Sequence, residues 1–199
     1  MLAPDDQTAV ARGLRDGGTD AWNALYDGFA ADVWRYVARL LGSDAASVAD
    51  VVQETFLGAA RSAGGFDPER GTLAGWLFGI AHRQVGLHWR RVDRTIRLRK
   101  AAESEAEEAR RRAEQLDPAA EASDRRELTD LVRSVLSEMP ADYARLLLAK
   151  YLDERSLAEL AAEQGDSPEA VKSKLARARR DFRAKYERLS REPTPLLPD

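Results

Sequence analysis

Apolar residues recur every three or four positions through most of this chain, a period that fits α-helices. Tyr26, Phe29, Val33, Val37, Leu40 and Leu41 form one stripe; Val48, Val51, Val52, Thr55, Phe56 and Ala59 form a second. Gly42 is placed to end the first helix and Gly64-Gly65 the second. Phe66-Asp67-Pro68-Glu69-Arg70-Gly71 then reads as a loop punctuated by Pro and Gly. From near Thr72 a third helix carries Leu73, Trp76, Leu77, Ile80 and Ala81, and it runs on into the basic string HWRRVDRTIRLRK. No strand-like alternation occurs, so the expected fold is all-α.

The apolar pattern lapses once. Residues from about 101 to 123 are rich in Ala, Glu and Arg, with a break at Asp117-Pro118 and no apolar face. A helix that is polar all round is a bridge or is not stably folded. The chain therefore divides into a small helical domain over 1–95, an acidic linker over 96–123, a second small helical domain over 124–190 and a Pro-rich tail over 191–199, expected to be disordered. In the second domain Asp124 and Glu127 have the spacing of a helix start. Leu128, Leu131, Val132, Val135, Leu136 and Met139 follow as one face, and Pro140 restarts the chain in a further helix.

The formal net charge is -3, but its distribution is uneven. From Arg83 to Lys100 there are seven Lys/Arg against one acid, and from Ser167 to Arg191 nine against three. Between them, Ala101 to Glu127 holds nine acids against five arginines. Basic, acidic, basic is a pattern that suits two separate contacts with phosphates, although any single charge run is also what a solvated helix face looks like.

Several classes are disfavoured. There are no cysteines, which removes disulfide frameworks, thiolate zinc sites and thiol catalysis. The N-terminus lacks the apolar run of a secretory signal, and no apolar run approaches the ~20 residues that span a bilayer, so a soluble cytoplasmic protein without membrane insertion is expected. The two histidines, His82 and His88, are six apart on one helix and face different ways, unlike a metal-binding pair. They read as exposed or half-buried helix residues, with a phosphate contact as the alternative for His88. There is no phosphate-binding glycine loop and no nucleophile elbow. No metal, no cofactor and no catalytic residue is expected, and the chain does not read as an enzyme.

The most informative stretch is Ser156 to Arg180. Ser156 with Glu159 is a capping box opening a short helix, and Gly165 allows a tight turn. Ser167 is a good N-cap, and Pro168 stands at the first helical position, where its missing N–H costs nothing. Val171, Leu175, Ala178 and Phe182 face inward on the next helix; Lys172, Ser173, Lys174 and Arg177 face outward. That is a helix-turn-helix, whose second helix fits the major groove. A structural hairpin or a protein-docking surface would show the same pattern.

The segment VLSEMPADYARLLLAKYLDERSLAELAAEQGDSPEAVKSKLARARRDFR resembles the C-terminal domain of RNA polymerase sigma factors of the extracytoplasmic function (ECF) group, through Met139-Pro140 and Val171-Lys172-Ser173-Lys174-Leu175. ADVVQETFL (Ala49–Leu57) is similar to that family's polymerase-binding helix, and FDPERGTLAGWLFGIAHRQ (Phe66–Gln84) to its promoter-melting segment. The resemblance covers roughly residues 22–92 and 126–187, in the family's order. It implies a transcription initiation factor whose partners are core RNA polymerase, through the clamp helices of the largest subunit and the flap, and promoter DNA. It also brings an anti-sigma factor as a candidate partner. By the same resemblance, Asp50, Gln53 and Glu54 dock on polymerase while Phe56 is core. Phe66, Asp67, Arg70 and Thr72 belong to the pocket for a flipped base of the -10 element, an extrusion that costs a few kcal/mol of stacking. Arg83, Trp89, Arg90 and Arg91 lie on the helix that follows it. Trp89 either stacks on an unpaired base or caps the core. Lys172, Ser173, Lys174, Ala176 and Arg177 match positions that read the -35 element. The acidic linker is either a mimic of RNA in the polymerase exit path or a soluble tether.

Departures from the family pattern are specific. Where the docking helix usually begins Asp-Ala-Glu-Asp, this chain has Ser47-Val48-Ala49-Asp50, two acids fewer; phosphorylation near Ser43 or Ser47 is one way to restore that charge. Arg83 and Leu87 stand where Asn and Asp are usual, which bears on the identity of the -10 base that is read. The competing reading is a stand-alone helix-turn-helix regulator, with a non-DNA helical adaptor as a third class.

Overall fold

The computed structural model describes residues 4–42, 44–68, 70–102 and 120–191. Among them are eight α-helices and no strand: α1 (Pro4–Arg15), α2 (Thr19–Leu41), α3 (Ala45–Ser62), α4 (Leu73–Ala102), α5 (Ala120–Glu138), α6 (Ala141–Tyr151), α7 (Leu157–Gln164) and α8 (Pro168–Leu189). A single 3-10 turn, Ala63–Gly65, follows α3.

Helices α1–α4 form the first unit. Its core is built from Leu25, Phe29, Val33, Val37 and Leu40 of α2, Val48, Val51, Thr55 and Ala59 of α3, and Leu73, Leu77, Ala81 and Val85 of α4. The α2 stripe begins one residue earlier than the spacing suggested. Leu25 is fully buried, whereas Tyr26 is 55% exposed and lies against Phe56 with ring centroids 5.0 Å apart. Leu25 is four residues before Phe29 and so shares its face; Tyr26 is turned about 100° away. Buried Thr55 is satisfied within its own helix, its hydroxyl donating to the Val51 carbonyl at 2.7 Å. Gly42, at φ 94, ends α2 in a conformation that side-chain-bearing residues avoid. Helix α1, for which the apolar pattern gave no assignment, buries Val10, Ala11 and Leu14. It approaches α2 closely: a Cβ on Gly13 would stand 2.7 Å from that of Ala21.

Helices α5–α8 form the second unit around Val135, Ala144, Leu146, Leu160, Val171, Leu175 and Ala178. Its first helix starts at Ala120, four residues before the expected start at Asp124, because Ala120, Glu121 and Ala122 are themselves good helix formers. Helix α4 likewise continues to Ala102, into the stretch read as linker. The rest of that linker, 103–119, and tail residues 192–199 lie outside the described residues.

The two units are in contact, which the sequence did not indicate: α5 packs on α2 and α4, and α6 packs on α4. His82 sits at this junction, 8% exposed, a correction to its reading as an exposed or half-buried residue. Its Nδ1 is 2.7 Å from the Tyr36 hydroxyl and its Nε2 is 2.7 Å from the Met139 carbonyl oxygen. A carbonyl only accepts, so Nε2 carries the proton and Nδ1 accepts from Tyr36. Burial pushes the His82 pKa below the ordinary histidine value and the Tyr36 pKa above the ordinary phenol value, so both are neutral at pH 7. Beside them the Arg145 guanidinium lies over the Phe78 ring, 4.2 Å from its centroid, and Phe78 meets Tyr36 edge-on at 5.3 Å. At the rim, Arg39 forms a two-point ion pair with Asp153, one contact at 2.8 Å.

Candidate nucleic-acid interface

Helix α3 places Asp50, Gln53 and Glu54 on one outer face, as the i, i+3, i+4 spacing requires. Asp50 and Gln53 are exposed and Glu54 half-buried, the last 3.3 Å from Arg61. Leu57 extends the same face and is itself exposed. At the helix start Asp44 is the N-cap, accepting from the Ala46 amide at 3.1 Å. Hydrogen bonds from the Ser47 hydroxyl and amide hold the Asp44 carboxyl below its ordinary pKa. Ser43 lies outside the described residues.

The loop between α3 and α4 is anchored at both ends. Phe66 is buried, 5% exposed, against Trp76 with centroids 5.2 Å apart. Its carbonyl accepts two hydrogen bonds from the Arg15 guanidinium, from Nε at 3.0 Å and from Nη2. A turn follows, the Arg70 amide donating to the Asp67 carbonyl at 3.1 Å. Thr72 closes the loop as the cap of α4, its hydroxyl oxygen accepting from the Gly75 amide at 3.0 Å. Arg70 and Thr72 are exposed and Asp67 half-buried, so the outward surface is polar while Phe66 faces inward beneath it. Glu69 lies outside the described residues. Farther along α4, Arg83, Arg90 and Arg91 are exposed. Trp89 packs partly buried on the core, and its indole N–H is buried without a hydrogen-bond partner.

The helix-turn-helix forms from local signals. The Ser156 hydroxyl accepts from the Glu159 amide at 3.2 Å, and the Ser156 amide donates back to the Glu159 carboxylate at 2.8 Å. The Ser156 amide, and the Ser156 hydroxyl donating to the same carboxylate at 2.7 Å, hold the Glu159 carboxyl below its ordinary pKa. Gly165, at φ 68, ends α7 in the left-handed region, and the Ser167 hydroxyl accepts from the Ala170 amide at 3.2 Å to open α8 behind Pro168. With Val171, Leu175 and Ala178 buried, Lys172, Ser173, Ala176 and Arg177 are exposed. Lys174 differs from these four: it is half-buried and ion-paired to Asp166.

The packing of the units brings the loop and Lys174 of α8 to the walls of one cleft. The cleft, of about 800 Å³, lies between the units, lined by Asp67, Arg70 and Thr72 of the loop and by Lys174 of α8. A second, more apolar groove of about 480 Å³ lies on the second unit among Val132, Leu136, Leu147, Leu152, Phe182 and Tyr186. Sequence reasoning missed this groove; its signal was the pair Tyr151-Leu152, two large side chains left exposed at the end of α6. It also missed Arg15, His82 and Arg145, whose partners lie 46 or more residues away.

Known proteins share both units. The Sigma-70 region 2 family model matches residues 25–95, and the Sigma-70 region 4 model matches residues 129–182. ECF RNA polymerase sigma factor SigL of Mycobacterium tuberculosis is 31% identical over 168 residues, covering 83% of this chain and 89% of its own. SigC of the same organism is 32% identical over 179 residues, covering 89% and 90%. Among solved structures, CnrH in complex with the cytosolic domain of CnrY superposes with a TM-score of 0.45 at 23% identity, covering 94% of this chain and 99% of that one.

Proposed function

This chain belongs to the ECF RNA polymerase sigma factors of the sigma-70 family, and on that premise we propose how its surfaces divide the work of a promoter-directing transcription initiation factor. The α3 face of Asp50, Gln53 and Glu54 docks on the clamp helices of the largest polymerase subunit, with Leu57 as an apolar contact beside the charges. The loop 66–72 takes up the flipped base of the -10 element, with Asp67, Arg70 and Thr72 toward the base and Phe66 as the floor. Arg83 bears on which -10 base is read, and Arg90 and Arg91 track the phosphates near the melting point. Lys172, Ser173, Ala176 and Arg177 read the -35 element in the major groove, and Lys174 joins them on release from Asp166. The apolar groove of the second unit receives the polymerase flap.

The observation that carries this reading is the outer face of α8: four exposed positions, two basic and two small, above three buried apolar ones, on a helix capped at its start. Short side chains let a helix approach base edges, and the lysines and arginines displace counterions from phosphates. A sensor-type regulator would need the first unit to bind a ligand or a second copy; instead that unit matches the sigma-70 region that accompanies region 4.

The packed arrangement bears on how the factor works. Elements centred near -35 and -10 are ~25 base pairs apart, or roughly 85 Å at ~3.4 Å per base pair. The loop and Lys174 line one cleft, so the two units must part before both elements are read. The packed form is the resting form; core polymerase, by holding α3 on one side and the apolar groove on the other, draws the units apart. An anti-sigma factor is a partner that would hold the units unavailable to polymerase. The site of action is the cytoplasm, where polymerase and promoters are.

The test is transcription in vitro with bacterial core polymerase and fragments of the source genome, followed by mapping of RNA 5′ ends. Discrete starts that require this protein and share sequence upstream are expected. Absence of such starts together with failure to co-elute with core polymerase would overturn the proposal in favour of a stand-alone regulator.

A further inference from the structure

We infer that Arg15, on α1 and outside both matched regions, is a positioning residue for -10 reading: its guanidinium fixes the first carbonyl of the loop that takes up the base. The inference rests on the assignment of the loop 66–72 to the -10 element. Arg15 is 51 residues from Phe66 in sequence, yet two of its N–H groups converge on the Phe66 carbonyl oxygen. Phe66 is where the chain leaves the 3-10 turn, its own amide bonded back to the Ala63 carbonyl at 3.1 Å. Its ring is held from below by Trp76. Ring and carbonyl together set the direction in which Asp67 and Arg70 set out.

Among the described residues, the Arg15 guanidinium is the hydrogen-bond donor to that carbonyl. A charged donor forms stronger and shorter hydrogen bonds than a neutral one, and two donors on one acceptor restrict the peptide plane as well as its position. Helix α1 is held in turn by Val10, Ala11 and Leu14 in the core and by the close Gly13–Ala21 contact, so the brace is rooted in a rigid element. A base pocket in a loop works when its donors are already in place, because loop ordering on binding subtracts from affinity. Arg15 does that ordering in advance, without touching DNA.

The experiment uses holoenzyme reconstituted from the full chain and core polymerase, with a forked promoter fragment whose -10 segment is single-stranded. The variants are Arg15→Ala, Arg15→Lys, Asp67→Ala and Arg70→Ala. Arg15→Ala is expected to weaken forked-fragment binding about tenfold, the scale of one charge-assisted hydrogen bond, while affinity for core polymerase and for a duplex -35 fragment stays unchanged. Arg15→Lys, which keeps one donor, should recover part of the loss. Amide hydrogen exchange should quicken at residues 67–72 in Arg15→Ala while α3 and α4 keep their protection. Wild-type forked-fragment binding by Arg15→Ala, with Asp67→Ala and Arg70→Ala impaired, would overturn the brace and leave the loop assignment standing. If both loop variants bind as wild type, the loop assignment itself fails and the inference falls with it. An equal loss on forked and -35 fragments would also overturn it, marking Arg15 as a general structural residue.

Discussion

The two surfaces proposed to read DNA are held in opposite ways. In the second unit the recognition helix is positioned by its neighbours in sequence: Ser156 and Glu159 open α7, Gly165 ends it, and Ser167 with Pro168 opens α8, all within a dozen or so residues. In the first unit the loop Phe66–Thr72 is positioned from far away, by Arg15 and by the ring contact with Trp76. Local devices each contribute little and fail gradually. The distant anchors differ in kind: losing the Phe66 ring costs core packing, whereas losing Arg15 frees the loop and leaves the helices in place.

The largest effect that would test this contrast is Phe66→Ala. Removing a buried ring costs about 3–5 kcal/mol, and the unfolding midpoint of the first unit should fall accordingly. All four tryptophans, Trp22, Trp34, Trp76 and Trp89, belong to the first unit, so denaturant unfolding followed by tryptophan fluorescence reports on it alone. A loss below about 1 kcal/mol, within the scale of a single cap, would break the comparison.

Smaller effects are expected in the second unit. Gly165→Ala forces a side chain into the left-handed region and should cost about 1–2 kcal/mol. Ser167→Ala removes one N-cap and should cost about 1 kcal/mol. Far-ultraviolet circular dichroism should register both, with little change in the tryptophan-detected transition, and -35 duplex binding by holoenzyme should weaken in the same order. If Ser167→Ala shifts the tryptophan signal as much as the ellipticity, the units are energetically one body and the contrast is overstated.

The gentlest test is pH. Burial lowers the His82 pKa below its ordinary value of 6.5, so the unfolded chain takes up a proton on acidification before the packed form does. Stability from this group is therefore fully present above about pH 6.5 and declines as pH falls below it, toward the depressed folded value. The His82→Gln variant should show a shallower decline in thermal stability between pH 7 and 5.5. Some slope should remain, because burial also lowers the pKa of His88. An unchanged slope in His82→Gln would show that the junction histidine does not carry the pH dependence.

The same local-versus-distant distinction explains what was legible in the sequence. The all-helical class, the core faces of α3 and α8, and the caps of α7 and α8 all follow from spacing within one helix or one turn, and the structure has them there. The α2 stripe is shifted by one residue at Tyr26, whose aromatic ring fits the pattern but lies exposed against half-buried Phe56. Helix α5 began early because a cap signal marks where a helix may start without forbidding good helix formers upstream. Arg15, His82 and Arg145 were invisible for a stricter reason: each is a polar residue on a helix, and only the partner across space distinguishes it from a solvated one. The packing of the second unit on the first was hidden likewise, since its contacts are individually ordinary residues: a tyrosine, a histidine, an arginine and a phenylalanine.

The most direct test of the central claim, that two DNA-reading surfaces share a cleft at rest and separate on a promoter, is a distance. Spin labels or dyes placed at Arg70 and at Lys174, which both line one cleft, should report a short separation in the free protein. In holoenzyme bound to a promoter the separation should grow toward the roughly 85 Å that ~25 base pairs impose at ~3.4 Å each. A distance that stays short in a transcriptionally active promoter complex would contradict the claim, because a factor that remains packed cannot place its loop and its recognition helix on two elements so far apart.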